Sequence, residues 1–576
     1  MKIRIFYLLL FITGVMTRET VAQIAWEKYK TGVSVTYDEA IRFYEETAAK
    51  EKRSKLYTIG QSDNGRPLHL FVLSPDTIFD REELRKKGYT VLFINNGIHP
   101  GEPDGINACI KLVHDYFSDS LPLPEKVVLA IIPVYNIDGM LNTSTFFRSG
   151  QNGPREVGFR GNYRNLDLNR DFIKCDSENA KTFNKIYTEW DPDVFVDTHV
   201  TDGADYQYVM TLIDSQKDKL HPAITKVMQR TILPYLNIAM NNAGFPMSPY
   251  VNVWGEDPSK GMQGFLETPR FASGYSALYN AFPFVTETHM LKPFPLRVDC
   301  TYQFLQLIGI ACQLYGTTLL EAREKARTIV ANEQQEFPIT WEHDSSKTDS
   351  LFFLGYQAEK KPSKVTGMEI LGFETRNAYG QYIPYKNTYR SAITVKKPVA
   401  YLVPQAWKEV IERLKLNHIQ MQPLQNDSLI RAEVYYIRDY KTSKTPYEGH
   451  YLHSQVQTEK DTQFIRCFKG DYLIYCNQPA NRYIIETLEP QATDAFFAWG
   501  FFDAILQQKE WFSDYLFDET ASKILEANPD MKTAFEKKKK EDPAFAQNAW
   551  AMYSWIFERS NWHEPTHNRY PVLRLF

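Results

Sequence analysis

Cysteine is scarce in this chain: Cys109, Cys175, Cys300, Cys312, Cys467 and Cys476 are the six in 576 residues, and no two form a Cys-x-x-Cys pair. A thiolate zinc site and a dithiol redox motif therefore have no support. Cys300 with Cys312, or Cys467 with Cys476, are near enough in sequence to bridge in an oxidising compartment, and free buried thiols are the equal alternative. Excess positive charge is also missing. Lys and Arg number 66 against 70 Asp and Glu, a net charge of −4, whereas a nucleic-acid partner needs a basic footprint. The run Lys537 to Lys540 is flanked by Glu536, Glu541 and Asp542 and reads as a solvated helix face. Beyond the N-terminus no apolar run is long enough for a stable membrane span. There, Ile5 to Met16 follow the basic Lys2 and Arg4 and precede the small residues Thr20-Val-Ala22. About a dozen apolar residues are too few to cross a bilayer, and the pattern is that of a cleavable signal peptide over residues 1–22. The mature chain is thus expected to be secreted or periplasmic. No cysteine follows the apolar core, so a lipid anchor is not indicated. The second half of the chain has no nucleotide-binding loop, no HExxH and no serine elbow.

Apolar residues make up 43% of the chain and aromatics 14%, with 35 Tyr and 36 Phe. That suits a globular protein too long for one compact core, with about two or three domains expected. The most informative stretch is Val91-Leu-Phe-Ile-Asn-Asn-Gly-Ile-His99-Pro-Gly-Glu102. An apolar strand is a rigid support, and the loop leaving it can aim a histidine and a glutamate at one point. Two further apolar strands end in polar groups: Asp193-Val-Phe-Val-Asp-Thr-His199 and Ala281-Phe-Pro-Phe-Val-Thr-Glu287. Between them lies Asn165-Leu-Asp167-Leu-Asn169-Arg170-Asp171. Ligands of open α/β sheets sit beyond the carboxyl ends of the strands, so three such ends together weigh more than any one. Two histidines and a glutamate also make an open zinc site. Taken singly, His99 reads as an ordinary loop histidine, His199 as a strand-end histidine bonded to backbone, Glu287 as a loop start, and Arg170 as the partner of Asp167 or Asp171.

In order and spacing these pieces resemble the funnelin zinc carboxypeptidases. The match begins at Tyr57-Thr-Ile-Gly-Gln-Ser-Asp-Asn-Gly-Arg-Pro-Leu and covers roughly residues 25 to 325. The run Glu287-Thr-His-Met-Leu-Lys-Pro-Phe is closer to secreted bacterial members than to the digestive enzymes. The resemblance implies a mixed, mostly parallel sheet flanked by helices over residues 23–330. It also implies one Zn2+ per chain, bound by His99, Glu102 and His199, and a catalytic Glu287 as general base. Asn169 and Arg170 would bind the substrate's terminal carboxylate, and Asp167 would orient His99. Arg160 is expected to stabilise the oxyanion, with Arg164 and Arg148 as the other candidates. Tyr275 is expected to contact substrate, with Tyr279 as its competitor. Gly101 stands where digestive members carry an arginine, which removes one of their substrate contacts. The substrate is then a peptide or another carboxylate-bearing amide. A zinc amidase acting on cell-wall peptides or N-acyl amino acids is the alternative within this chemistry. A non-catalytic peptide- or glycan-binding protein is the alternative outside it.

Downstream, short alternating runs (Leu351 to Tyr356, Val365 to Phe373, Ala392 to Val395) predict a β-rich module over 331–396. Residues 397–576 read as α/β turning helical: a strand from Val399, a helix from Trp407, strands over Arg431 to Ile437 and Gly470 to Cys476, and helix over Asp494 to Lys540.

Overall fold

The computed structural model describes residues 25–576; the expected signal peptide lies outside the described residues. The N-terminal half is built on an eight-stranded sheet. Its strands are β1 (Ser54–Gln61), β2 (Pro67–Leu73), β3 (Thr90–Asn96), β4 (Val127–Ile132), β5 (Val194–Thr201), β6 (Met210–Ile213), β7 (Met247–Pro249) and β8 (Phe282–His289), in the spatial order β1-β2-β4-β3-β5-β8-β6-β7. The four central strands β4, β3, β5 and β8 run parallel, with β2 and β6 antiparallel on their flanks. Every residue of β3, β4 and β5 is buried, which is why they read as unbroken apolar runs rather than alternating ones. Helices α1 (Asp104–Phe117), α2 (Glu178–Trp190) and α3 (Phe294–Thr328) cover the sheet. This is the expected mixed sheet flanked by helices.

The chain then forms a long hairpin, Asp349–Pro362 with Glu369–Lys386, whose Phe353 and Ile383 pack on Tyr206 and Tyr208. The strands Glu336–His343 and Tyr389–Lys396 pair beside it. A second sheet, antiparallel throughout, assembles six strands from Ala400–Val403 to the terminal Leu573–Leu575. One apolar core runs from Phe93 and Phe195 in the first sheet to Tyr401 in the second, and takes in Tyr483 of the helix Asn481–Leu488 and Trp499 of the turn after it. The changes of pattern near 331 and 397 therefore mark a change of element type within a shared core.

Two expectations are corrected or resolved here. Apart from a single 3-10 turn at Asp503–Leu506, helix over 494–540 begins only at Asp514, because Ala495 to Phe502 forms largely buried turns with Gly500 at φ +79°. Aromatics on every side of that segment leave no polar face for a helix to present. The six cysteines are all buried and free. No helix of the described residues is long and apolar enough to cross a membrane.

Candidate active site

Two glycines allow the strand ends to converge. Gly97, at φ +68°, turns the chain out of β3 toward His99, a conformation that glycine adopts at little cost. Gly105, in the first turn of α1, lies so close to β5 that a Cβ there would sit 2.0 Å from Thr198 Oγ1. That contact presses the His99–Glu102 loop against the strand carrying His199. Asp104 beside it takes Arg297 Nε at 2.9 Å and the Thr288 hydroxyl at 2.6 Å, locking α1 to β8.

The resulting cluster is compact. His99, Glu102 and His199 are all buried, and their donor atoms lie within 4.8 Å of one another. His99 Nε2 is 2.9 Å from Asp167 Oδ1, and His199 Nε2 is 2.8 Å from Asp197 Oδ2. Each imidazole therefore gives its Nε2–H to a carboxylate and turns Nδ1 inward. His199 Nδ1 lies 3.0 Å from Glu102 Oε2. His99 Nδ1 lies 3.2 Å from Glu102 Oε1, out of line for a hydrogen bond, and is buried without a hydrogen-bond partner among the described residues. Two inward imidazole nitrogens and one carboxylate, one nitrogen orphaned, fit a Zn2+ ion with coordination to spare.

Arginines surround this centre. Arg148 Nη1 donates to Glu102 Oε1 at 2.6 Å, Nη2 to the Val200 carbonyl at 2.8 Å and Nε to Gln151 at 2.9 Å. Arg160 donates from Nε and Nη2 to Asp167 Oδ2, both at 2.9 Å, with Nη1 3.6 Å from Glu102. Burial would raise Glu102, but Arg148 and the two histidines outweigh it and hold the carboxyl well below its usual range. Asp167 is likewise held low by His99, Arg160 and Arg170 against the effect of burial. Glu287 is the exception: burial pushes it up to about 8. It pairs in register with His199 across β8 and β5, so both side chains rise from the same face of the sheet. The two histidines, Glu102, Glu287, Arg148 and Arg160 open onto a cavity of about 430 Å³ whose apolar wall includes Ile213, Tyr250, Phe265 and Phe271.

Residues 41–239 match the family model described as zinc carboxypeptidase. They belong to that family. Among curated proteins, carboxypeptidase 2 of Trichophyton rubrum is 20% identical over 432 residues, 71% of this chain and 73% of its own. The probable carboxypeptidase 2 of Arthroderma benhamiae is 21% identical over 428 residues, 70% and 74% of the respective chains. Among solved structures, a metallo-carboxypeptidase from Burkholderia cenocepacia aligns with TM-score 0.37 at 14% identity, covering 49% of this chain and 70% of that one. The carboxypeptidase A of Helicoverpa armigera gives the same TM-score and identity over 56% and 87%. Residues 41–239 are a zinc carboxypeptidase domain, and the chain that carries it is a hydrolase.

The carboxypeptidase cavity gathers His99, Glu102, His199, Glu287, Asn169, Arg170 and Arg160, and it also admits Arg148. Asn169 Oδ1 accepts from the Ala272 N–H at 3.1 Å, which anchors the helix that follows. Arg164 points elsewhere, to the Asp176 carbonyl. Tyr275 is corrected: it is fully buried, packs edge-on against Tyr187 and Phe183, and donates its hydroxyl to Asn417 Oδ1 at 2.7 Å. Tyr279 donates to the same oxygen. The short helix Ala272–Leu278 turns that face into the core, and Tyr250 lines the cavity instead. His289, two residues past Glu287, bonds the Ala204 carbonyl under Tyr206 and stays out of the cavity. Asp197 went unassigned in the sequence, although a strand puts residues two apart on one face, so its place beneath His199 was legible. Tyr447 and Glu448, which reach Arg170 and Asp167, carried no local signal.

Proposed function

We propose that the chain is a zinc-dependent metallocarboxypeptidase that removes C-terminal residues from peptides, with one Zn2+ held by His99, Glu102 and His199. The observation that carries this reading is the convergence of two Nδ1 atoms on Glu102, beside a half-buried Glu287 and a guanidinium-lined cavity. A zinc ion there supplies Lewis acidity, acidifying water toward a pKa of about 7 and polarising a carbonyl. Glu287 takes the water's proton and later hands it to the leaving amine. Its raised basicity, from burial, suits that exchange near neutral pH. Arg170 has Nε on the Tyr447 hydroxyl and Nη1 on the Asn169 carbonyl, and Nη2 makes no hydrogen bond among the described residues. That nitrogen, with the Asn169 amide, grips the substrate's terminal carboxylate. Arg148 spends all three nitrogens on Gln151, Glu102 and Val200. Arg160 is 46% exposed at its side chain and faces the cavity, so it is the arginine that stabilises the oxyanion. Asp167 and Asp197 fix the tautomers of the two histidines. Residues 1–22 direct export and are removed.

The test is the purified mature protein with and without chelator on a mixed peptide pool, read by mass spectrometry beside Glu287→Gln. Chelator-sensitive loss of single C-terminal residues, absent in the variant, is expected. No cleavage by a protein holding one equivalent of zinc would sink the peptidase reading and point to cell-wall or acyl amides.

A further inference from the structure

The group read here as the carboxylate clamp is not held by the catalytic half alone. Arg170 stacks its guanidinium 4.4 Å from the Phe271 ring centre, and its Nε donates to the Tyr447 hydroxyl at 3.1 Å. Tyr447 lies 277 residues downstream, in the connection between the strands Ser428–Thr442 and His453–Cys467 of the second sheet. The next residue, Glu448, stands at φ +51°, and its Oε2 accepts the Asp167 backbone N–H at 2.7 Å. His450 closes the turn with Tyr447 by paired backbone bonds of 2.7 and 3.1 Å. Its Nε2 reaches Asp176 Oδ2 at 2.6 Å, an aspartate that Lys174 and Arg413 also hold. The Tyr447 ring is fixed in turn, parallel to Trp499 and under the Arg270 guanidinium. Arg270 is itself paired with Asp494 at 2.7 Å.

A surface loop does not need so many tethers, and two of them end on Arg170, which lines the cavity, and on Asp167, which holds His99. We propose that the Tyr447–His450 turn is a positioning device for substrate recognition. Tyr447 fixes the Arg170 guanidinium and leaves Nη2 to the terminal carboxylate, while Glu448 fixes Asp167 and through it His99. A donor already ordered loses no rotamer freedom when substrate arrives. A strained, non-glycine φ at Glu448 fits a site where the surroundings hold the backbone for a purpose. The second sheet is then part of the recognition apparatus. This inference rests on the reading of Arg170 as the carboxylate-binding group.

Because one core joins the two halves, the test uses the full chain. Tyr447→Phe keeps the ring between Trp499 and Arg270 and removes only the hydroxyl. Kinetics on a matched pair of peptides, one with a free C-terminal carboxylate and one amidated, read the effect. We expect KM for the free acid to rise about tenfold, the value of one charge-assisted hydrogen bond, and the acid-over-amide preference to fall by the same factor at full zinc content. Equal losses on both peptides, or an unchanged preference, would overturn the role of Tyr447. Glu448 is tested by zinc affinity, which does not depend on activity. Glu448→Ala is expected to weaken zinc several-fold, and Glu448→Gln, which keeps an acceptor for the Asp167 N–H, to restore it. Wild-type zinc binding by the alanine variant would overturn that half. A zinc-loaded wild-type protein that cleaves neither peptide would fail differently, overturning the carboxypeptidase reading and this inference with it.

Discussion

Asp197→Asn probes the metal centre from beneath, without touching the cavity. Asp197 is fully buried, with Oδ2 on His199 Nε2 at 2.8 Å and Oδ1 on Asn95 Nδ2 at 3.3 Å. Both neighbours are donors, so the site asks for two acceptors and a negative charge. An asparagine offers one acceptor and one NH2. With Asn95 held as it stands, a donor meets a donor whichever way it turns, at a cost of about 1–3 kcal/mol. In one orientation the clash falls on His199 and favours the tautomer whose Nδ1 carries the proton, which closes that nitrogen to metal. Loss of such a carboxylate partner weakens metal binding about 10–100-fold, or about 1.4–2.8 kcal/mol, and the two figures agree. Zinc affinity is measured by competition with a chromophoric chelator, and kcat is then taken at saturating zinc. Affinity is expected to fall by that range and kcat to recover. Asp167→Asn should behave differently, because Asp167 also holds Arg160 from two nitrogens, and so kcat stays low even when zinc is saturating. A folded Asp197→Asn protein that binds zinc as tightly as wild type would refute the reasoning.

Glu287→Gln should keep its zinc and lose about a hundred- to ten-thousandfold in kcat/KM; a smaller loss would remove Glu287 as the base. Burial pushes Glu287 up to about 8, so at pH 7 without metal it is mostly protonated, and a divalent cation nearby favours its ionised form. Zinc uptake at pH 7 should then eject that proton, an effect that fades as pH rises past 8. Calorimetry in buffers of different ionisation enthalpy should find about one proton fewer released by Glu287→Gln, and equal release would contradict the shift. Tyr275→Phe removes one of the two hydroxyls on Asn417 and should cost about 1 kcal/mol of stability in denaturant titration. Its kcat/KM should match wild type, and a selective rise in KM would reinstate Tyr275 in the cavity.

What the sequence made legible follows from how each group is held. His99, His199 and Glu287 stand at or near the ends of strands buried on both faces, and an apolar run that stops at a polar residue is visible in one dimension. Asp197 shares that visibility, since it lies two residues from His199 on the same strand. Arg148 and Arg160 could not be separated by spacing. Their difference lies in what each nitrogen touches: Arg148 is saturated by partners, while Arg160 remains half exposed. Tyr275, like Tyr279, lies upstream of Glu287 as expected, but neither spacing decides between them and the helix face of Tyr275 is wrong. The aromatic cluster of Phe172, Phe183 and Tyr187 decides that face, and no local pattern records it. The helix expected from Asp494 failed for a related reason: Ala495 to Phe502 is apolar enough to be drawn into the shared core whole.

The two imidazoles depend on supports of different reach, and this gives the centre an asymmetry. His199 takes its orienting carboxylate from its own strand, in the middle of the sheet, where Asn95 of the neighbouring strand holds Asp197 in place. His99 takes its carboxylate from the short helical turn Leu168–Arg170, which Asp167 caps, and the backbone of that cap is tied to Glu448 of the second sheet. Elements held by few, partly exposed contacts open at lower free energy than central strands. Perturbations of the second sheet should therefore reach the metal through His99 and Asp167, and the carboxylate clamp through Tyr447, while His199 and Glu287 stay in register. On the proposed reading, the same asymmetry would put water activation on the rigid parallel strands and substrate recognition on the contact between the two halves, where a different C-terminal region would alter which substrates are held without rebuilding the centre that cleaves them.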